Sequence, residues 1–344
     1  MTNNLSYEIK IGRYSIKSDS KESDRTIKSF ACEHSMDGGC GNCCIELSDI
    51  ENPVPQTGED VVVKIDSGKG LQSVFKGKID HVTINPTTYQ VNASDSLLSL
   101  SKCDLQVAYE KASADTIAKD ILNKAGISIG TVEKGPKFES YVLLHGPCAL
   151  NHLKKLGRII GFDIFSDGEG KANFCGSSTK KNTHTIRYGI DILEYSIKEL
   201  PLLIDSLIII GEGSAGTKGA EKYYWLPDDL KGVTGKGCVD NKGNVSSGKA
   251  GSFLSTQYSA IAKSKEVGDT IAKNQLVNQA DRRFSGYLKV TGITGIFPGD
   301  RIKIDSLPKK HALETFFKSG DGLRVRRSRI SLNTETGLIT RLDF

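Results

Sequence analysis

Long hydrophobic runs are missing from this 344-residue sequence. The longest apolar segment, at 202–210, has the length of a strand and contains Asp205, whereas a membrane-spanning helix needs about 20 apolar residues. The residues at 1–7 also lack the basic segment and the apolar stretch of a signal peptide. We therefore expect no membrane insertion, and we expect the chain to be cytoplasmic at synthesis.

An excess of one charge is missing as well. The sequence has 46 Lys and Arg against 41 Asp and Glu, which gives a formal net charge of +5, and aromatic residues make up only 7%. A nucleic-acid-binding β-barrel should show clustered basic residues with aromatics interleaved on one sheet face. Only Tyr223, Tyr224 and Trp225 approach this pattern, and they lie in a Gly-rich stretch, so nucleic-acid binding stays an alternative interpretation.

Motifs for catalysis are also absent. His145 and His152 lie near Cys148, but the surrounding residues match no nucleophile motif. The Gly-rich stretch at 211–216 lacks the Lys-Ser/Thr ending of a phosphate-binding loop. We predict no catalytic residue and no cofactor, and a cell-envelope enzyme such as a peptidoglycan hydrolase remains the alternative from another functional class.

Cysteine, in contrast, is plentiful. Four of the eight cysteines fall within 32–44, and Cys32, His34, Cys40 and Cys43 have the residue types of a tetrahedral zinc site. A structural zinc site normally shows two well-separated ligand pairs, which this compact cluster does not. We therefore expect no bound metal and favour buried thiols, with zinc or a disulfide as the alternatives.

A strand pattern that occurs twice is the most informative feature that is present. Gly58-Glu59 leads into an alternating strand at 60–65 and a second one at 75–84, and Gly299-Asp300 leads into strands at 301–304 and 323–330. Period-two alternation after a Gly-acid turn is typical of paired strands in a small antiparallel barrel. The sequence therefore predicts two related antiparallel β-barrel domains.

Helical periodicity predicts a smaller α+β part between the barrels. Ser113 and Gly126 bound one predicted helix, and Gly161 ends a second one that begins at about Ala149. A third predicted helix runs over about 265–283. The predicted organisation is a first β-barrel at 1–103, completed by about 181–210, an inserted α/β domain at 104–180, a Gly-rich loop region at 211–264, and a helix with the second β-barrel at 265–344.

Two groups of side chains are predicted to lie at interfaces. Tyr223, Tyr224 and Trp225 form an aromatic triplet within the Gly-rich stretch, where no local core is expected to take them. Arg324 and Arg326 alternate with Leu323 and Val325, which predicts one solvent-facing edge of a strand. Contact of this edge with a partner, or with cargo in a channel, is the functional interpretation of the same pattern.

The order of these elements resembles the hub proteins of contractile tails. That group includes the phage late control protein D family, the hub-like amino-terminal part of VgrG spike proteins and the hubs of extracellular contractile injection systems. The similar segments lie at 57–65, 75–79, 91–100, 114–118, 153–162 and 284–300.

The resemblance implies a non-enzymatic baseplate hub. Three copies would form a homotrimeric ring of six similar barrels, which would join a hexameric tube protein to a trimeric spike protein among other baseplate proteins. The chain would then leave the cytoplasm as part of a phage tail or an extracellular contractile particle. No long carboxy-terminal extension carries a needle, so the spike is expected to be a separate chain.

Overall fold

The computed structural model describes residues 5–18, 26–48, 53–68, 70–179, 182–211, 233–240, 243–314 and 322–344. It is mainly β, with 49% of residues in strands and 15% in helices, and its largest sheet is antiparallel and curled into half-barrels. The predicted fold class is therefore confirmed.

Seven antiparallel strands form the first β lobe. Their bounds are β1 Ser6–Ile11, β2 Tyr14–Lys17, β3 Ile27–Ser35, β4 Asn42–Leu47, β5 Asp60–Asp66, β6 Gln72–Ile84 and β7 Tyr89–Asp95. They are hydrogen-bonded in the order β3-β4-β7-β6-β5-β1-β2. Alternate residues point inward, so that Val61, Val63 and Ile65 of β5 are fully buried in the core of this lobe.

An α/β domain follows the first lobe. Its elements are α1 Leu98–Ser101, β8 Val107–Ser113, α2 Ala114–Lys124, β9 Ile129–Val132, β10 Lys137–Leu143, α3 Ala149–Ile160, β11 Phe162–Ser166 and β12 Ala172–Gly176. The apolar faces of α2 and α3 share one core with β11 and β12. The helix predictions are confirmed, including the end of α3 at Gly161, which adopts the left-handed conformation that suits glycine.

The remaining described elements complete two further units. They are β13 Thr183–Arg187, β14 Ile192–Glu199, β15 Ser206–Gly211, β16 Thr234–Val239, β17 Val245–Ser247, β18 Leu254–Ser259, α4 Lys265–Asp281, β19 Phe284–Thr291, β20 Arg301–Asp305, β21 Leu323–Arg324, β22 Arg327–Asn333 and β23 Gly337–Asp343. The second β lobe consists of β13, β14 and β19 to β23, and the small sheet consists of β15 to β18 and packs against α4.

The segment at 181–210 does not complete the first barrel, which corrects the sequence prediction. β13 pairs in parallel with β20, and β14 pairs antiparallel with β19. Ile186 of β13 is fully buried in the core of the second β lobe, beside Ile302 and Leu342. The alternation of apolar residues fixes which face of a strand is buried, but it does not specify which sheet receives the strand.

In the described part of the Gly-rich region, three strands belong to a sheet rather than to a loop. β17, β16, β15 and β18 are hydrogen-bonded in that order, and Leu207 and Ile209 of β15 pack against α4. Gly235 of β16 lies so close to Gly268 of α4 that a Cβ at position 235 would fall 2.0 Å from the Gly268 carbonyl carbon. The glycines here permit close packing of a helix on a strand, which a loop interpretation misses.

The two copies of the strand pattern form the same hydrogen bonds. Gly58 N–H donates to the Ile79 carbonyl over 2.8 Å, and Ile79 N–H donates to the Glu59 carbonyl over 2.9 Å. In the second copy, Gly299 N–H donates to the Val325 carbonyl over 2.9 Å, and Val325 N–H donates to the Asp300 carbonyl over 2.8 Å. Both glycines have positive φ, at 88° and 92°, so both require glycine.

The register beyond these turns is also equivalent. Asp60 pairs with Lys78 in the first copy, and Arg301 pairs with Arg324 in the second. After the turn, β6 continues onto β7 and β22 continues onto β23. The structure therefore contains the internal duplication that the sequence predicts.

One sheet runs through both lobes. β22 pairs with β3, which joins the order β14-β19-β23-β22 to the first lobe and produces an 11-stranded sheet. β14 lies at one end of this sheet and β2 at the other. Each end strand has a single pairing partner among the described residues.

Candidate assembly site

The predicted basic edge is not solvent-facing at Arg324 and Arg326. These two side chains are buried, whereas Arg327 and Arg329 of β22 are exposed. The alternation breaks because the chain changes sheets here: β21 pairs with β20, and β22 pairs with β23 and β3. Both faces of the connection are therefore covered by protein, and the expected solvent-facing position is wrong for both residues.

Arg324 forms an ion pair with a buried carboxylate. The Arg324 Nη1 to Asp163 Oδ2 distance is 2.8 Å, and Asp163 is itself buried in β11. Removing one partner of a buried ion pair leaves an unpaired buried charge and destabilises a protein by about 3–5 kcal/mol. This pair therefore fixes the second lobe to the inserted domain.

Arg326 binds a second carboxylate. Its Nη2 lies 2.6 Å from Asp37 Oδ1, in the turn after β3, and 3.8 Å from Asp163 Oδ1. Burial raises the pKa of the Asp37 carboxyl, but the hydrogen bond and charge of Arg326 outweigh it and the pKa is lowered. Arg282, at the end of α4, approaches Asp163 to 3.8 Å. Three guanidinium groups thus share two carboxylates where the lobes and the inserted domain meet.

A second buried polar network holds the first lobe to the inserted domain. His34 Nδ1 of β3 lies 3.0 Å from Ser166 Oγ of β11, and His34 Nε2 lies 2.9 Å from the Val74 carbonyl oxygen. Ser166 Oγ also contacts the Asp95 carboxylate, which accepts from Gly41 N–H over 2.7 Å. All three side chains are buried.

Burial of His34 and Asp95 favours an uncharged form of this network. Because His34 Nε2 faces a carbonyl oxygen, this nitrogen is assigned the hydrogen of the neutral ring. Two states with the same number of protons satisfy these contacts: an ion pair, in which His34 Nδ1 donates to Ser166 and Ser166 donates to Asp95, and a neutral pair, in which both donations run the other way. Burial favours the neutral pair, since it raises the pKa of Asp95 and lowers the pKa of His34.

The four candidate zinc ligands do not converge on one point. Cys32 Sγ lies 3.1 Å from Cys43 Sγ across β3 and β4, whereas both ring nitrogens of His34 are already engaged. Burial raises the pKa of Cys40 and raises that of Cys43 well above its usual value. No group of three or more His, Cys, Asp or Glu side chains in the described ranges is placed to hold a metal ion.

The residues around Cys148 engage other partners. His145 Nδ1 lies 3.0 Å from Asp104 Oδ2, and His152 Nε2 lies 3.1 Å from the Leu144 carbonyl oxygen. Cys148 precedes α3 as its N-terminal cap residue. These contacts account for both histidines without a thiol-imidazole pair.

Exposed apolar side chains follow the open strand edges. Leu193 and Tyr195 lie on β14, the end strand of the large sheet, and Leu254 and Tyr258 lie on β18, the outer strand of the small sheet. Leu203, which is 88% exposed, lies between these strands in sequence. An open edge with apolar side chains is suited to pairing with another chain.

Tyr223, Tyr224 and Trp225 lie outside the described residues, so their interface role stays a prediction. Among the helices that the structure describes, none is long and apolar enough to span a membrane.

Sequence reasoning missed the partners of the basic edge and of His34. Asp37, Asp95 and the β11 residues Asp163 and Ser166 come from three separate segments, and only the fold brings them to the arginines and the histidine. One signal was available: Asp163 is a single acid within the apolar run at 162–165, and a buried carboxylate requires a cationic partner.

Comparison with solved structures gives the nature of the fold. The 43 kDa tail protein of prophage MuSo2 from Shewanella oneidensis is 12% identical, with a TM-score of 0.63 over 98% of this chain and 97% of that chain. A tail protein from Neisseria meningitidis MC58 is 13% identical, with a TM-score of 0.64 over 98% of this chain and 95% of that chain.

A third similar structure comes from Escherichia coli. The c3393 protein, a type VI secretion system component described as similar to the bacteriophage T4 tail proteins gp27 and gp5, is 10% identical, with a TM-score of 0.55 over 97% of this chain and 75% of that chain. No protein-family model matches the chain, and no curated protein matches its sequence. On structural similarity, this chain has the fold of phage tail proteins.

Proposed function

We propose that the protein is a structural hub of a contractile tail or injection-system baseplate. In this role it is a homotrimeric symmetry adaptor that joins a hexameric tube protein to a trimeric spike protein, and it is not an enzyme. The internal duplication carries the proposal, because two β lobes with equivalent turns and register lie in one continuous sheet.

Symmetry explains why a duplicated chain suits this role. A hexameric tube presents six equivalent surfaces, whereas a trimeric spike presents three. A trimer of a chain with two similar lobes offers six similar surfaces on one face and keeps threefold symmetry on the other. The tail-protein fold supports this role, as does the similarity to a secretion component that is itself described as similar to gp27 and gp5.

The open ends of the sheet supply contacts for ring closure. β14 and β2 lie at opposite ends of the same 11-stranded sheet, so contact between the end strand of one copy and that of the next is heterologous and closes with rotation. Leu193 and Tyr195 on β14 would then be buried. Tyr223, Tyr224 and Trp225 are proposed as a further anchor against a neighbouring protein.

Co-expression with the tube and spike proteins tests the proposal. We expect the hub to co-purify with both partners, and a Leu193→Lys/Tyr195→Lys variant to remain folded but to lose self-association. Lys119→Glu on α2, an exposed change away from the strand ends, serves as the control. A folded protein that binds neither partner would contradict the hub role, and turnover of peptidoglycan would favour the enzymatic alternative.

A further inference from the structure

A cavity of about 620 Å³ opens beside the arginine cluster. The turn after β3, helix α3, strand β11 and helix α4 surround it, and β18 contributes Gln257. Ligand pockets commonly occupy about 300–1,000 Å³, so the cavity has room for several residues of a peptide.

Positive side chains outnumber negative ones in the lining of this cavity. Its two carboxylates, Asp37 and Asp163, already contact the buried Arg326 and Arg324 at 2.6 Å and 2.8 Å. Three further cations line the same cavity: Lys154, Arg158 and Arg282. Arg326 and Arg324 thus neutralise the two aspartates, and the cavity surface retains an excess of positive charge.

The three lining cations lack a close carboxylate of their own. Lys154 Nζ donates to the Gly38 carbonyl oxygen over 2.7 Å, and Arg282 Nε donates to Asn278 Oδ1 over 3.1 Å while its Nη2 stays 3.8 Å from Asp163. Arg158 is exposed and forms no ion pair with another residue in the described parts of the chain.

The charge environment of Arg282 indicates that an anion would stabilise this arrangement. Burial and the nearby charge of Arg326 lower the pKa of Arg282, against the attraction of Asp163 and Asp37. A negative group in the cavity would offset the repulsion between the guanidinium groups.

The uncharged lining favours a peptide over a nucleic acid. Gln257 and Gln279 add amides that can both donate to and accept from a peptide backbone. Met36, Ile159 and Ile164 add apolar surface between the cations. Among the described residues that line the cavity, Phe162 is the only aromatic one and is buried, so these residues offer no platform on which bases would stack.

We propose that this cavity binds an acidic peptide segment of a partner protein, with its carboxylates held between Arg158 and Arg282. Charge complementarity identifies the occupant, because three cations line the cavity, Arg282 comes only within 3.8 Å of Asp163, and the two aspartates are neutralised by Arg324 and Arg326. The proposal does not depend on the hub role, since it concerns binding by the isolated chain.

A labelled hexaglutamate peptide tests the proposal by fluorescence anisotropy at low ionic strength. We expect saturable binding that weakens as salt is added. The Arg158→Gln/Arg282→Gln double variant should weaken binding at least about tenfold, as the loss of two charged contacts predicts. Lys155→Gln removes one positive charge from α3, the helix that carries Arg158, but Lys155 does not line the cavity, and the variant should change affinity less than about twofold.

Three outcomes would overturn the proposal. The first is no binding of hexaglutamate to the folded chain. The second is equal weakening by Lys155→Gln and by the double variant, which would indicate non-specific charge attraction. The third is tighter binding of single-stranded DNA that the double variant abolishes, which would assign the cavity to nucleic acid. Unfolding temperatures of the variants should stay close to that of the parent, because Arg158 and Lys155 are exposed and Arg282 is half exposed and only within 3.8 Å of Asp163.

Discussion

At the junction of the two lobes, single charged side chains determine how the units are held together. Asp163 is 8% exposed and faces three guanidinium groups, of which only Arg324 is within direct hydrogen-bond distance. The guanidinium groups of Arg282 and Arg326 lie 3.8 Å from Asp163 and can offset its negative charge only in part. The contribution of this residue pair to stability should therefore be large.

Arg324→Met should lower the free energy of unfolding by about 3 kcal/mol, at the lower end of the range for a broken buried ion pair. Arg282 and Arg326 limit the loss because they remain near Asp163. Urea unfolding followed by circular dichroism measures it. Lys124→Gln, which breaks a half-exposed pair with Asp120 on α2, should cost no more than about 0.5 kcal/mol, and equal losses for both variants would contradict a buried pair.

The His34 network should make stability depend on pH. The pKa of His34 is lowered in the folded protein, so the unfolded chain takes up a proton first as the pH falls below the ordinary value of 6.5. Stability from this group is present above that pH and is lost as the pH falls, by at most about 1.4 kcal/mol per pH unit. Asp95 has a raised pKa, so it contributes stability as the pH falls through its folded value and offsets part of the loss from His34.

Urea unfolding of the parent and of His34→Gln at several pH values between neutral and mildly acidic conditions measures this dependence. We expect the parent to lose stability on acidification and the variant to lose less. His145→Gln, which changes an exposed histidine, should retain the parent slope. Parallel slopes for the parent and His34→Gln would contradict the role of the buried ring.

The cysteine cluster should carry no stoichiometric metal after purification under reducing conditions. Zinc binds thiolates, whereas burial raises the thiol pKa of Cys40 and Cys43 and His34 is committed to Ser166 and Val74. Elemental analysis measures the metal content. Close to one zinc per chain, lost in Cys40→Ser, would contradict the expectation.

At the scale of elements, the contact of β16 with α4 offers a sharp test of the fold. A Cβ at Gly235 would lie 2.0 Å from the backbone of Gly268, whereas a Cβ at Gly39 would meet Leu150 at an ordinary 3.6 Å. Gly235→Ala should therefore lower the unfolding free energy by about 3 kcal/mol, since overpacking forces the backbone apart. Gly39→Ala should change it by about 0.5 kcal/mol or less, and similar effects would place β16 away from α4.

Local patterns predicted the elements well and their partners poorly. Caps and apolar stripes predicted α2, α3 and α4, and the Gly-acid turns predicted the duplicated strand pairs. The same reasoning assigned 181–210 to the wrong barrel, because the local sequence of a strand does not specify the strand with which it pairs. It also took 211–264 for a loop, because glycine marks both turns and sites of close backbone approach.

The candidate site was predictable only in part for a similar reason. The alternation at 323–326 predicts outward arginines as long as one sheet continues, but the chain changes sheets at this point and covers both faces. The partners Asp37 and Asp163 are more than 150 residues distant in sequence from Arg324 and Arg326. A buried pair of this kind is formed by tertiary structure, which local pattern does not encode.

At the scale of the whole molecule, the duplication and the continuous sheet together suggest a ring. The two lobes share equivalent turns with positive-φ glycines, yet they lie side by side in one sheet with an open strand at each end. A chain of this form can repeat around an axis without leaving exposed edges. In the proposed trimer, the duplicated lobes supply six similar surfaces and the open end strands supply the contacts between neighbouring chains.

Imaging of the hub together with its tube and spike partners, viewed along the particle axis, tests the central claim most directly. The proposed function predicts a ring of three chains with six similar β lobes, sixfold in appearance toward the tube and threefold toward the spike. A mass measurement of the same complex should give three hub chains. A complex with one, two or six hub chains, or a ring in which the two lobes of each chain lie at different radii, would contradict the adaptor.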